Sequence, residues 1–216
     1  NHLENVRKAA ANLEGVLRST DMIYSDFFSK ETGNRIYIKP ENLQRTGSFK
    51  IRGAFNKVAN LSEEERAKGI IASSAGNHAQ GVALAASKMG IKATIVMPQV
   101  TPLIKIDSTK SYGADVVLHG NVYDEAYSKA VELAEANGYT FVHPYNDYDV
   151  MCGQGTIALE ILEELEDMRS RVLFETSNET VASGTNILSD VKASLESLDS
   201  LFGSIVSSTG LTADNF

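Results

Sequence analysis

The chain has 216 residues and a formal net charge of −8, an acidic balance that argues against a nucleic-acid-binding surface as its main business. A hydrophobic share of 43% against 22% charged residues is that of a globular protein with one large core or two small ones, and the single cysteine, Cys152, excludes an intramolecular disulfide and fits a reducing compartment. No apolar run approaches the roughly 20 residues of a membrane span and the first residues show no signal core, so a cytoplasmic location without membrane contact is expected.

Leu3, Val6, Ala10, Leu13 and Leu17 share a face and predict an opening helix over 3–17. Ile36, Tyr37 and Ile38 predict a short strand that Pro40 ends. A helix follows from Lys50 to about Leu61, with Ser48 as its cap and Ala54, Phe55 and Val58 on its apolar face. The pattern then becomes regular. "GIIASSAG", "KATIVMP", "ADVVLHG" and "YTFVHP" read as strands, and "NHAQGVALAASKMG", "TPLIKIDSTKSYG" and "NVYDEAYSKAVELAEANG" read as the helices between them. This alternation predicts a parallel sheet with crossover helices, a three-layer α/β unit. A further helix is expected from about Gly155, and "RVLFE" reads as one more strand. Leu188, Val191, Leu195, Leu198, Phe202 and Ile205 lie three and four apart and predict an amphipathic helix over about 187–206.

Lys50 and Arg52 fall in the first turn of their predicted helix, where the dipole disfavours cations. Lys50 also lies between Phe49 and Ile51. It is either a solvent-facing lysine or one whose pKa has been pushed down for use as a neutral amine. "SSAGNHAQG" links a strand to a helix with small residues, so an anion can sit on Ser74, Ala75, Gly76, Asn77 and His78; the alternative is a tight turn capped by Asn77. "GQGT" reads as a glycine turn with Thr156 near a helix cap, or as a second anion site at Gly153 and Gly155. Cys152 reads as a buried packing residue, and the acids of "EILEELED" read as a solvated helix face. His2, His78, His119 and His143 show no metal-ligand spacing.

Taken together, "KPENLQRTGSFKIRGAFNKV", "ASSAGNHAQGVALAA", "MPQVTPLIKIDSTKSYGADVVLHG" and "FVHPYNDYDVMCGQGTIALEILEEL" resemble the threonine dehydratases, or threonine ammonia-lyases. These are pyridoxal-phosphate enzymes of the tryptophan-synthase-β-like, fold type II group. The resemblance runs from about Leu3 to Leu165. It implies a small α/β domain over 53–144 within an incomplete fold type II architecture, with 1–52 and 145–167 as large-domain segments and 168–216 unmatched. Lys50 matches the lysine that forms the Schiff base with pyridoxal phosphate. Phe49 matches the residue that packs on the cofactor ring, and Asn77 the one that hydrogen-bonds its ring oxygen. Ser74, Ala75, Gly76, Asn77 and His78 match the loop that holds the substrate carboxylate. The resemblance implies conversion of L-threonine to 2-oxobutanoate and ammonia, and of L-serine to pyruvate, by a homo-oligomer.

Serine racemases share the scaffold but carry a serine at the position of Ala75. After Asp167 the family's glycine-rich phosphate loop is not recognisable, and Ser183-Gly184-Thr185-Asn186 is a poor substitute. The alternative class is therefore a catalytically inactive relative that acts as an assembly module.

Overall fold

A computed structural model of the chain describes residues 1–176. The predicted 187–206 helix and Ser183–Asn186 lie outside the described residues. Helix α1 (His2–Asn12) opens on Asn1, whose side chain accepts the Leu3 N–H, and buries Val6 and Ala9. It is shorter than its apolar pattern suggests, because Gly15 turns the chain with a φ of 71°. Leu13 and Val16 stay buried beyond its end. Strands β1 (Ile23–Tyr24) and β2 (Tyr37–Ile38) form an antiparallel ribbon around helix α2 (Asp26–Thr32). Ser25 caps α2 and Gly33 closes it.

Helix α3 (Lys50–Ala59) ends slightly before its predicted boundary, and a short helix α4 (Glu63–Lys68) follows behind a reciprocal Ser62–Glu65 capping box. The regular alternation then appears as expected: β3 (Ile70–Ser73), α5 (Asn77–Met89), β4 (Ala93–Met97), α6 (Leu103–Ser111), β5 (Asp115–Leu118), α7 (Tyr123–Asn137), β6 (Thr140–Phe141). The four strands pair in parallel in the order β5-β4-β3-β6. Their side chains alternate between faces. Ile71 and Val96 pack with Ala126 and Ala130 of α7. Ile70, Ala72, Ile95 and Met97 join the larger cluster on the other face, with Ala79, Val82 and Ala86 of α5 and Ile51, Ala54 and Val58 of α3.

The last described helix departs most from expectation. Helix α8 (Tyr148–Thr176) begins well before Gly155, so Gly153 and Gly155 are helical rather than a turn or an anion site. It also runs through Arg171–Glu175, which had read as a strand. Gly153 serves close packing: a Cβ there would lie 2.5 Å from the Arg52 carbonyl oxygen and 2.6 Å from Gly53 Cα. Gly53 faces α8 in the same way, with Val150 O 2.6 Å from where its Cβ would be. Helices α3 and α8 thus cross on bare backbone. Cys152 is buried with Val6 and Ala9, and burial pushes its thiol up to about 11, which suits packing rather than chemistry. Among the described residues no helix is long and apolar enough to cross a membrane.

Gly153→Ala tests the crossing. Helix propensity alone favours alanine by about 1 kcal/mol, but overpacking against immovable backbone costs roughly 1–3 kcal/mol or more. A net loss of stability in urea titration is expected; an alanine variant as stable as the parent would mean that the helices do not meet this closely.

Candidate active site

The start of α3 is built around two cations that its own dipole opposes, and each is dealt with differently. Phe49 occupies the cap position without a side-chain bond, while the Ser48 hydroxyl accepts the Lys50 N–H at 3.3 Å. Ser48 thus serves the helix end, though one residue before the geometric cap. The Lys50 side chain is half-buried. Its Nζ donates to the Pro144 carbonyl at 2.9 Å and stands 5.2 Å from the centroid of the Phe49 ring. Burial lowers its pKa from the ordinary 10.5, and the positive helix end acts in the same direction. Lys50 is therefore not the solvent-facing lysine of the plainer reading.

Arg52 is fully buried and makes five hydrogen bonds. Nε and Nη2 donate to Glu41 Oε2 and Oε1, each at 2.8 Å. Nη1 and Nη2 donate to Glu160 Oε1 and Oε2 at 2.5 and 2.8 Å, and Nη1 reaches Thr156 Oγ1 at 3.0 Å. Two bidentate carboxylates on one guanidinium use its planar fork fully. Lys39 extends the network, 2.9 Å from Glu160 and paired also with Glu164, whose other oxygen accepts the Met22 N–H at 2.5 Å. Glu160 and Glu164 are thus the inner, ion-paired face of α8, not a solvated one. Burial is the largest single influence on Glu41 and Glu160 and opposes their ionisation, but the hydrogen bonds and charge of Arg52, joined by Thr20 at Glu41 and by Lys39 at Glu160, together outweigh it and hold both below 4.5.

Facing α3, the first turn of α5 follows directly on β3. Ser74 N–H still bonds Val96 O at 3.2 Å, and Ser74 Oγ accepts the Gly76 N–H at 3.2 Å. Gly76 is the cap residue, so Asn77 begins the helix instead of capping it, and its side chain is exposed. The first-turn amides at Asn77 and His78 have no intrahelical acceptor. The His78 ring turns inward: Nε2 donates to Val142 O at 2.9 Å, while Nδ1 is buried without a partner. Burial, with the Lys50 charge added, pushes its pKa down to about 4 despite the Val142 bond. His78 can thus offer the helix start its backbone amide, not its imidazole. Gly81 brings α5 against α3: a Cβ there would lie 3.2 Å from Lys50 C and O and from Ile51 N. The lysine and the α5 helix start are held side by side, with Ala75 and Gly76 in the loop between strand and helix.

A half-buried amine of lowered pKa, a neighbouring aromatic ring still 38% exposed, an exposed amide at Asn77 and a row of helix-start N–H groups suit an aromatic aldehyde and an anion together. A family model described as pyridoxal-phosphate dependent enzyme matches residues 13–186. The chain belongs to that family. The match extends past residue 167, where the recognisable motifs end. An L-threonine ammonia-lyase of Thermotoga maritima is 51% identical over 197 residues, covering 91% of this chain and 47% of the relative. A catabolic L-threonine dehydratase of Staphylococcus aureus is 49% identical over 172 residues, 79% of this chain and 50% of its own. Among solved structures, threonine deaminase isoform 2 of Solanum lycopersicum superposes with a TM-score of 0.73 at 44% identity, over 77% of this chain and 46% of that one. A maize serine racemase gives 0.73 at 34% identity, over 76% and 50%. The chain spans about half the length of the curated relatives it matches. Its parallel sheet with flanking helices is the expected fold type II architecture.

The Arg52 network is testable through pH. Because Glu41 and Glu160 have folded pKa values below 4.5, their contribution is fully present above that pH and is lost as pH falls through the lower folded values. Glu41→Gln removes one charge partner of a buried guanidinium, so a loss of about 2 kcal/mol or more is expected at pH 7. Urea titrations from pH 3 to pH 7 should show the variant less stable and its acid limb flatter. Parallel curves for the two proteins would remove Glu41 from the account.

Proposed function

We propose that this chain carries the catalytic lysine and substrate-binding helix start of an L-threonine ammonia-lyase, which converts L-threonine to 2-oxobutanoate and ammonia and L-serine to pyruvate. The observation that carries this reading is the Lys50 amine, depressed in pKa by burial, oriented by Pro144 O and set beside the first turn of α5. Sequence identity of about half to named threonine ammonia-lyases and dehydratases supports the substrate.

In this reading Lys50, Phe49 and Asn77 would hold pyridoxal phosphate, the lysine through its amine, the phenylalanine through its ring and the asparagine through its amide. When bound, the cofactor supplies an electron sink for the substrate α-carbon. Lys50 Nζ takes the α-proton, a task for which a neutral amine is required at working pH. The N–H groups of Ala75, Gly76, Asn77 and His78, with the Ser74 hydroxyl, bind the substrate carboxylate at the positive end of α5. The β-hydroxyl leaves with one proton as water, Lys50 gives up the proton it has taken, and one water returns to release ammonia and leave the 2-oxo acid. Ala75 has no hydroxyl with which to move a proton on the opposite side of the substrate, which favours elimination over racemisation.

Addition of pyridoxal phosphate to the purified protein should produce a visible absorption band that Lys50→Ala abolishes. A band of equal strength in both proteins, or in neither, would overturn the assignment of Lys50. With L-serine as substrate, pyruvate should form without D-serine; D-serine as the main product would replace this reading by the racemase one.

A further inference from the structure

The turn between β6 and α8 is tied down by a side chain that the reaction above does not use. His143 Nδ1 accepts the Asn146 N–H at 2.8 Å and the Tyr145 N–H at 3.3 Å. Both partners are donors, so Nδ1 presents its lone pair and the proton of the neutral ring sits on Nε2. Pro144 lies inside this turn, and its carbonyl is the acceptor for Lys50 Nζ. The proline ring fixes φ at Pro144, so pinning Tyr145 and Asn146 on one side of the turn sets the direction of that carbonyl. The imidazole is itself wedged. Tyr145 stands edge-on with ring centroids 4.6 Å apart, Tyr127 edge-on at 6.3 Å, and Phe141 tilted at 6.3 Å.

We propose that His143 is a positioning residue of the Lys50 site: its neutral imidazole holds the 143–146 turn so that the Pro144 carbonyl meets the Lys50 amine. This rests on reading Lys50 as the reactive amine. Protonation at Nδ1 removes the lone pair and opens the turn. The groups that face the imidazole are Lys50 from α3, His78 from α5, Tyr127 from α7, Asp147 at the start of α8 and Tyr145 within the turn. Burial lowers the His143 pKa from 6.5, Asp147 opposes the fall and Lys50 adds to it. The turn is therefore intact at neutral pH and is lost as pH falls below 6.5 and through the folded value.

The experiment uses the chain without added pyridoxal phosphate, so it answers whether or not the cofactor binds. Acylation of Lys50 by acetic anhydride is followed by peptide mass spectrometry at pH 7.5 in the parent, His143→Asn and His143→Leu. An asparagine oxygen can accept the same N–H groups two and three residues on, so His143→Asn should label like the parent. His143→Leu frees the Pro144 carbonyl, removes a bond that favours the ammonium and raises Lys50 labelling roughly three- to tenfold. Nitrogen-15 NMR of the parent gives a readout independent of either variant. His143 should show an unprotonated Nδ1 at pH 7, and the Asn146 amide should shift with the same titration below pH 6.5. A protonated Nδ1 at neutral pH, an Asn146 amide indifferent to that titration, a leucine variant that labels like the parent, or an asparagine variant as altered as the leucine one would each overturn the proposal.

Discussion

Arg52 is the residue on which the rest of the described structure depends. A guanidinium without solvent contact cannot shed its charge, so the fold must bring carboxylates to it. Glu41 arrives from the segment after β2 and Glu160 from the middle of α8, and each grips it with two oxygens. Two stretches of chain are thereby fixed around one turn of α3. Lys39 ties the outer carboxylates back to the ribbon segment, and Thr20 adds a hydrogen bond to Glu41. Such a cluster contributes little as a sum of ion pairs, because desolvation offsets the attraction. Its effect is geometric: few other arrangements of these segments satisfy all of the charges at once.

The lysine two residues earlier benefits from that rigidity. Lys50 is placed by contacts made at other positions, by Arg52 behind it, by the bare backbone of Gly53 against α8, and by Gly81 of α5 against its own carbonyl. The first turn of α3 cannot slide along α5 without Gly81 losing its fit, nor rise from α8 without uncovering the guanidinium. An amine that must meet a carbon atom in one orientation requires this kind of support, since small misplacements of reacting groups are costly in rate.

The central layers were legible because their physics is local. Continuous apolar runs at β3 and β4, Ala-rich helical spacing in α5 and a glycine at each helix end leave little choice. Of the ribbon, β2 was read from Tyr37 and Ile38, but β1 and α2 were not, since a two-residue strand and exposed aromatics carry almost no periodic signal. Gly153 misled in a specific way: glycine reads as a turn, and only the partner helix reveals that a hydrogen was needed in place of a methyl group. Arg52 looked merely misplaced, for its two acids lie 11 and 108 residues away. Lys50 and the Ser74–His78 loop stood out on their own, as a cation at a helix start and a small-residue strand–helix link, and the resemblance singled out Phe49 and supplied the roles; the inward turn of the His78 ring was invisible, because the Val142 carbonyl belongs to backbone that any residue could supply.

That inward turn has a consequence for the sheet itself. Strand β6 pairs with β3 only at Ile70 and Ile71, and stops while β3 continues to Ser73. The next β6-side carbonyl, at Val142, is taken instead by the His78 imidazole from α5, the helix that follows β3. The ladder is thus ended from above, by a side chain that belongs to the helix it feeds. A notch opens where a third rung would have run, and the chain leaving it passes directly over the lysine. A sheet built with perfectly matched strands would have carried that segment past the site along the strand axis. The short strand is what lets the backbone turn inward.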